Sequence, residues 1–428
     1  METQSGAQSA RGEATRRVIR STAAGLFVEQ GFGAVSLRDI AARAQISHPG
    51  ILRHYASKDE ILDAVVDELE RENLEWLGTT TPSLSTIPAL ARRNESVPGY
   101  VSLFTTLAGE ATSSLHPANN RFTNRHRGAI NFWAERFRSE LGDSQQTEPS
   151  CESAHDCAVR LVAVWDGLQL LSLYLPNRVS VPESLEHYLG SIGVDASGSV
   201  QAATSTDNNE IFSKRATSPQ LAHEPLVGYA QGRARRNQIV TDSAVLFAQR
   251  GFHATSLAEI AQRVGISKST LLHHFGSKDR LLAAVIDHWD SITGEQAGDT
   301  GDDVTDLTTL LARYPDAQRD ALARPGLIEL YAVLSAEASS PSHPAHEYFR
   351  NRFVSAIGRF TALFSAAIAS GDAIPGLDPN AEAIRLIALL DGLQLQWLYE
   401  HSAVDPTTQL IAHVTALMST PLGNNSPH

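Results

Sequence analysis

The chain has little cysteine: of its 428 residues only Cys151 and Cys157 are thiols. Two cysteines are too few for a disulfide framework and lack the C-x-x-C spacing of a zinc site, so they read as part-buried thiols of a reducing compartment. Long apolar runs are missing too. No stretch of about 18 apolar residues occurs, and residues 1–12 are small and polar, without the apolar centre of a secretion signal. A cytoplasmic protein with no membrane contact is expected. Strand-type alternation is nearly absent, which excludes a sheet protein and leaves an all-α fold. No Gly-rich phosphate loop, nucleophile elbow, metal-ligand cluster or paired carboxylates stand out, so neither an enzyme nor a cofactor or metal protein is indicated. Charged residues reach only 19% against 42% apolar, a globular balance. The net charge of −13 argues against a surface coated in nucleic acid, but a net value averages over regions.

What the chain does have is a duplication. The run from Gly31-Phe32 to Asp59 reads again from Gly251-Phe252 to Asp279, at a constant shift of 220 positions. Ser36-Leu37, Ile40-Ala41, Arg43, Ile46-Ser47, Leu52, His54 and Ser57-Lys58-Asp59 all recur. Fainter echoes follow: Pro98-Gly99 and Pro325-Gly326, His116-Pro117 and His343-Pro344, and Asp166-Gly167-Leu168-Gln169-Leu170 and Asp391-Gly392-Leu393-Gln394-Leu395. Between the copies, residues 193–231 are rich in Ser, Thr, Asn, Gln and Pro and read as a flexible linker. The expected domains are 12–70, 71–192, 232–290 and 291–422.

Helical periodicity runs through both copies. Ile19, Ala23, Leu26 and Phe27 make one apolar stripe, and Ile239, Ala244, Leu246 and Phe247 a similar one. Ser36 with Asp39, and Ser256 with Glu259, have capping-box spacing and start short second helices. Those end near Ala44-Gln45 and Val264-Gly265. Ser47 and Ser267 then cap third helices reaching about Tyr55 and Phe275, and Ser57 and Ser277 cap fourth helices. A helix, a tight turn and a second helix can lay that second helix in the DNA major groove. Within residues 11–58 Lys and Arg outnumber Asp and Glu by about five, with a similar excess over 232–278. Basic heads on an acidic body suit DNA contact through the heads alone.

These segments resemble the TetR family of repressors. The second copy carries the pattern as Gly251-Phe252, Ser256-Leu257-Ala258-Glu259-Ile260-Ala261, Gly265-Ile266-Ser267, His274-Phe275 and Ser277-Lys278. The resemblance implies two all-helical units, each with a three-helix DNA-binding head and a regulatory domain of about six helices that dimerises and binds a small molecule. It implies DNA-contacting residues Arg38, Ser47, His48, Pro49, Gly50, Arg53, His54 and Lys58 in the first head. In the second they are Ser267, Lys268, Ser269, Thr270, His273, His274 and Lys278. Two departures stand out. Leu52 and Leu272 occupy a position where the family commonly has tyrosine, and Gln45 stands where glycine is usual.

Segments 161–175 and 386–399 are apolar on nearly every face, which suits helices buried against a partner. With 120–141 and 347–369 they resemble the family's four-helix dimer interface. The two copies are therefore expected to pair with each other as an intrachain pseudo-dimer, a homodimer of whole chains being the other assembly. Such a pair would bind a double-stranded operator with two unequal half-sites. Effector candidates are Tyr100, Phe104, Leu107, His116, Phe122 and Trp165 in the first copy, and Tyr331, Leu334, His343, Phe349 and Trp397 in the second. The competing expectation is an effector-independent DNA-binding architectural or protein-interaction module.

Overall fold

The computed structural model describes residues 2–79, 82–141, 153–196, 230–296, 306–324 and 326–419. Among these it is helical, with a single isolated bridge between Ala373 and Met418. The linker expected at 193–231 lies mostly outside the described residues. The first half contains α1 (Glu2–Gln30), α2 (Leu37–Ala44), α3 (His48–Leu52), α4 (Lys58–Gly78), α5 (Ile87–Ser96), α6 (Tyr100–Glu110), α7 (Asn119–Leu141), α8 (Ala154–Tyr174) and α9 (Val181–Ser191). The second half repeats the order as α10 (Ala230–Arg250), α11 (Leu257–Val264), α12 (Lys268–Phe275), α13 (Lys278–Gln296), α14 (Leu307–Leu322), α15 (Leu327–Glu337), α16 (His346–Ser370), α17 (Pro379–Tyr399) and α18 (Pro406–Ala416).

Local chemistry starts these helices where the sequence says it should. The Ser36/Asp39 and Ser256/Glu259 capping boxes both form, and Ser47, Ser57, Ser267 and Ser277 each accept a backbone N–H of the following helix. Gln45 adopts φ 57° and ψ 36°, close to the 72° and 39° of Gly265, so the first turn keeps its shape without glycine. A side chain in that region costs roughly 1 kcal/mol. Two expectations need correction. α3 stops at Leu52 rather than near Tyr55, since Pro49 and Gly50 leave little helix propensity in so short a segment. In α10 the buried stripe runs through Ser243, whose hydroxyl is satisfied by Ile239 O, and Ala244 is only half-buried.

α8 and α17 cross at the centre of the molecule. Both are apolar all round, and both are buried almost along their whole length. At the crossing an added Cβ on Gly167 would lie 2.0 Å from Ala388 O, and one on Gly392 would lie 1.9 Å from Ala163 O. Only glycine lets the two backbones touch. Around this point the halves exchange matching contacts. The Tyr174 hydroxyl donates to Ser335 O, while Tyr399 donates to Ala108 O. Tyr174 packs against His346 and Phe353, and Tyr399 against Phe122 and His126. By length and composition α8 and α16 could each span a membrane, but α8 spends its apolar surface inside this core. Cys157, expected as a free thiol, is buried and disulfide-bonded; Cys151 lies outside the described residues. A single local pairing needs only two Cβ atoms within about 4 Å, which counting cysteines does not test.

Gly167→Ala should therefore destabilise the whole chain by about 1–3 kcal/mol or more, since neither backbone can retreat without opening the core. Gly358→Ala, on an open helix position, should instead stabilise by about 0.5–1 kcal/mol. Urea midpoints of the two variants check both signs.

Candidate nucleic-acid interface and a cavity in the first half

Each head is held together by the residues the sequence placed in it, but not all of them face outward. Arg38, Ser47, Pro49 and Arg53 are exposed in the first head, as are Ser267, Lys268, Ser269, Thr270 and His273 in the second. His48, Gly50, His54 and His274 are half-buried. Ser47 and Ser267 also cap α3 and α12. Gly50 has a packing reason: an added Cβ would meet Ile46 Cγ2 at 2.8 Å. Burial, with help from His273 and the Arg236 and Arg235 guanidinium groups, holds His274 below its ordinary pKa.

Lys58 and Lys278, expected among the DNA-contacting residues, are engaged within their own heads. Lys58 Nζ donates to Phe32 O at 2.7 Å and sits 4.1 Å over the Phe32 ring; Lys278 Nζ donates to His253 O at 3.2 Å and sits 4.3 Å over Phe252. Burial lowers the pKa of both. They lock the turn after the first helix. Much of the basic excess is similarly engaged, in the pairs Arg20–Glu68, Arg43–Glu29, Arg250–Glu259 and Arg263–Asp242. Two arginines that sequence reasoning passed over lie beside the reading helices: Arg16 over Tyr55 at 5.9 Å and Arg236 over Phe275 at 4.3 Å. Their common signal was the 220-position shift, which pairs Arg16 with Arg236.

The heads meet at the turns those lysines hold. An added Cβ on Gly33 would lie 2.6 Å from Ala254 Cβ of the other half. Above the contact sit two buried carboxylates. Glu110 accepts the Phe32 N–H, and Glu337 accepts those of Phe252 and His253. Both lie against Gly31, where an added Cβ would meet Glu110 Oε1 at 2.5 Å and Glu337 Oε1 at 3.5 Å. Burial first, then Glu110, pushes Glu337 up to about 8, against the pull of its two backbone donors and Lys278. His253, Glu337 and His343 bring potential ligand atoms within 4.8 Å of one another. No hydrogen bond joins the three side chains: His343 Nε2 stands 4.0 Å from Glu337 Oε2, and neither it nor His253 Nε2 has a hydrogen-bond partner. His343 Nδ1 accepts the Ala345 N–H, which puts its proton on Nε2 and makes that atom a donor. His116 does the same with Ala118. Both histidines thus accept the N–H of the residue just before the helix that follows.

The effector candidates separate into two groups. Tyr100, Phe104 and Trp165 line one cavity of about 600 Å³ in the first half, together with Asn73, Asn94, Arg125, Phe132, Trp133 and Gln169. Leu107 and Phe122 are packed in the core beside it, and His116 faces Glu110 instead. Among the described residues of the second half the expected ones are dispersed. Tyr331 touches a small cavity of about 40 Å³ on the boundary between the halves, Phe349 and Leu334 are core, His343 faces Glu337, and Trp397 packs near His401. His126 Nε2 lies 2.9 Å from Asp166 Oδ2 on the cavity wall, and its Nδ1 bonds Phe122 O. The α7 positions Arg125, Ala129 and Phe132, spaced at i, i+4 and i+7, were the legible signal for that wall.

Lys268→Ala should weaken duplex binding about fivefold and lower the salt slope by about one, leaving the melting temperature unchanged. Lys58→Ala should instead lower the melting temperature. Electrophoretic shifts and thermal denaturation separate the two. Glu337 adds a pH signature. Its folded pKa of about 8 lies above the ordinary 4.5, so its contribution is complete below 4.5 and is lost as pH rises through 8. His253 and His343 are lowered by burial and lose stability only towards acid; over pH 7–8.5 Glu337 titrates beside Asp391, which burial raises to about 7 and which is common to the parent and the variant. Over that window the parent chain should lose thermal stability and Glu337→Gln should show a flatter profile.

The family description "Bacterial regulatory proteins, tetR family" matches residues 19–65 and again 239–285, and "BetI-type transcriptional repressor, C-terminal" matches 328–420. An HTH-type transcriptional repressor of Mycobacterium tuberculosis is 37% identical over 71 residues, 17% of this chain and 38% of that protein. The chain thus spans well under half of that relative's length. The regulator BetI of Burkholderia lata is 28% identical over 196 residues, 44% of this chain and 94% of its own. A solved TetR-family regulator from Agrobacterium tumefaciens, 21% identical, covers 43% of this chain and 97% of itself at a TM-score of 0.37. The repeated match falls on the two heads built above, and the chain belongs to the TetR family as a tandem protein carrying the family's N-terminal domain twice.

Proposed function

We propose that the chain is a ligand-responsive transcriptional repressor that binds operator DNA as an intrachain pseudo-dimer. The observation that carries this reading is the paired architecture. Two basic helix-turn-helix heads are fixed to one core through the α8–α17 crossing, and Gly167 and Gly392 let the halves meet as two subunits would. Repression is supported by the repressor names of the matched family and relative. The chain acts where its DNA is, in the cytoplasm.

The reading helices present different chemistry. α3 offers His48, Pro49 and Arg53, and α12 offers Lys268, Ser269, Thr270 and His273. Unlike donors read unlike base edges, so the operator has two unequal half-sites. The effector acts in the 600 Å³ cavity. α4 runs unbroken from the Ser57 cap at the head to Asn73, Leu74 and Leu77 on the cavity wall, so a molecule that displaces α4 there also moves the head. It releases DNA only as far as it binds the two head positions unequally.

Selection from a random duplex pool, followed by native mass measurement of the bound species, tests this. One chain per duplex on a site with dissimilar halves is the expected result. Perfect palindromes, or two chains per site, would refute the pseudo-dimer.

A further inference from the structure

The cavity in the first half has unlike ends. Leu74 on α4 and Asn124 and Gly128 on α7 are exposed and mark its mouth, whereas Leu90, Trp133, Val162 and Trp165 are buried and give it an apolar floor. Charge on the wall is carried by Glu70, Arg121, Arg125 and Asp166, with His126 beside them. Most of it is closely matched. Arg121 holds Glu70 and Asp67 at 2.6 Å each, and Asp166 takes His126 Nε2 at 2.9 Å. Arg125 is the exception. It neighbours Asn124 at the mouth, its guanidinium rests on the Phe104 ring at 4.5 Å, and its one hydrogen bond among the described residues, to Glu70, is stretched to 3.5 Å. A guanidinium carries several N–H donors in a planar fork, so most of those on Arg125 are left without an acceptor from the described residues.

We propose that this cavity takes an apolar acid, one molecule per chain, whose carboxylate docks on Arg125 while its apolar body lies on the floor. The proposal rests on the reading of the cavity as the effector site and deepens it. The volume of about 600 Å³ falls within the usual range of about 300–1,000 Å³ for small-molecule sites. An anion is favoured over a cation because both acids of the wall already have close partners, and a carboxylate can give the guanidinium the two parallel hydrogen bonds that Glu70 does not. Phe104 holds the guanidinium plane in place, so little side-chain freedom is lost on docking. The same contact explains how binding reaches the head. α4 is tied to α7 by Arg121, through Asp67 and Glu70, and by Arg125, through Glu70. A carboxylate that takes Arg125 removes one of these ties and loosens α4, the helix that begins in the head at the Ser57 cap.

Two probes of one shape and different charge test the assignment. Isothermal titration of the full-length chain compares 2-naphthoate with its neutral counterpart 2-naphthamide, whose rings suit the indoles of the floor. The parent should bind one 2-naphthoate at least about tenfold more tightly than the amide, since hydrogen bonds between charged groups are the strong ones. Arg125→Gln, first checked for cooperative melting, should abolish that preference and leave the amide's affinity within about twofold. If the variant does not fold, the ratio measured on the parent decides. An amide bound as well as the acid, no binding of the acid below about 1 mM, or a preference for the acid that survives in Arg125→Gln would overturn the proposal. Affinity for the selected duplex is measured in the same samples and should fall when 2-naphthoate is bound. An acid that binds through Arg125 without changing duplex affinity supports the site and sinks the effector reading. An amide that binds better than the acid and releases the duplex does the reverse.

Discussion

Everything in this molecule hangs on two helices that touch backbone to backbone. α8 and α17 have almost no solvent-facing side, so neither half can bury its own last long helix without the other. The glycines at the crossing allow the approach, and the exchanged tyrosines Tyr174 and Tyr399 close the rim, each ending on a carbonyl of the opposite half. Burial of such large apolar side chains is worth about 1.5–3 kcal/mol apiece, which makes the crossing the main source of cohesion between the halves. Joining both in one polypeptide makes their meeting intramolecular and independent of protein concentration.

From that crossing the structure passes order to the heads through a second, smaller contact. α6 and α15 run alongside each other to Glu110 and Glu337, and each carboxylate holds the backbone of the turn in its own head. Lys58 and Lys278 grip the same turns from the other side. Two lysines expected to contact DNA thus also fasten the turns of their own heads. The exposed charge of the heads falls to a shorter set, with Arg38, Arg53 and Lys268 outward and the α1 and α10 arginines beside α3 and α12.

The duplication has been kept where geometry needs symmetry and lost where it does not. Around the crossing, Gly167 answers Gly392, Asp166 answers Asp391, and Ser335 answers Ala108. Away from it the halves differ: Trp289 stacks on Tyr331 in the second half, where the first has Leu69 and Phe104. The neighbouring His126 to Phe353 difference alters the polar wall: Asp166 bonds a histidine in one half, and Asp391 bonds Tyr331 in the other.

The sequence by itself determined the duplication, the all-helical class, the helix starts and the two basic heads. These follow from local rules, in which a serine three residues before an acid or an apolar residue every third or fourth position acts within one helical turn. It also marked 161–175 and 386–399 as helices buried on all faces. Only the tertiary structure decided which candidates work together. Tyr100, Phe104 and Trp165 converge on one cavity while Leu107 and Phe122 vanish into the core, because a face is defined by what packs against it and not by periodicity alone. For the same reason the sequence could not reveal that Lys58 and Lys278 turn inward, or that the disulfide-bonded Cys157 is no free thiol. The lysine contacts depend on the distance between groups far apart along the chain, and distance is what folding supplies.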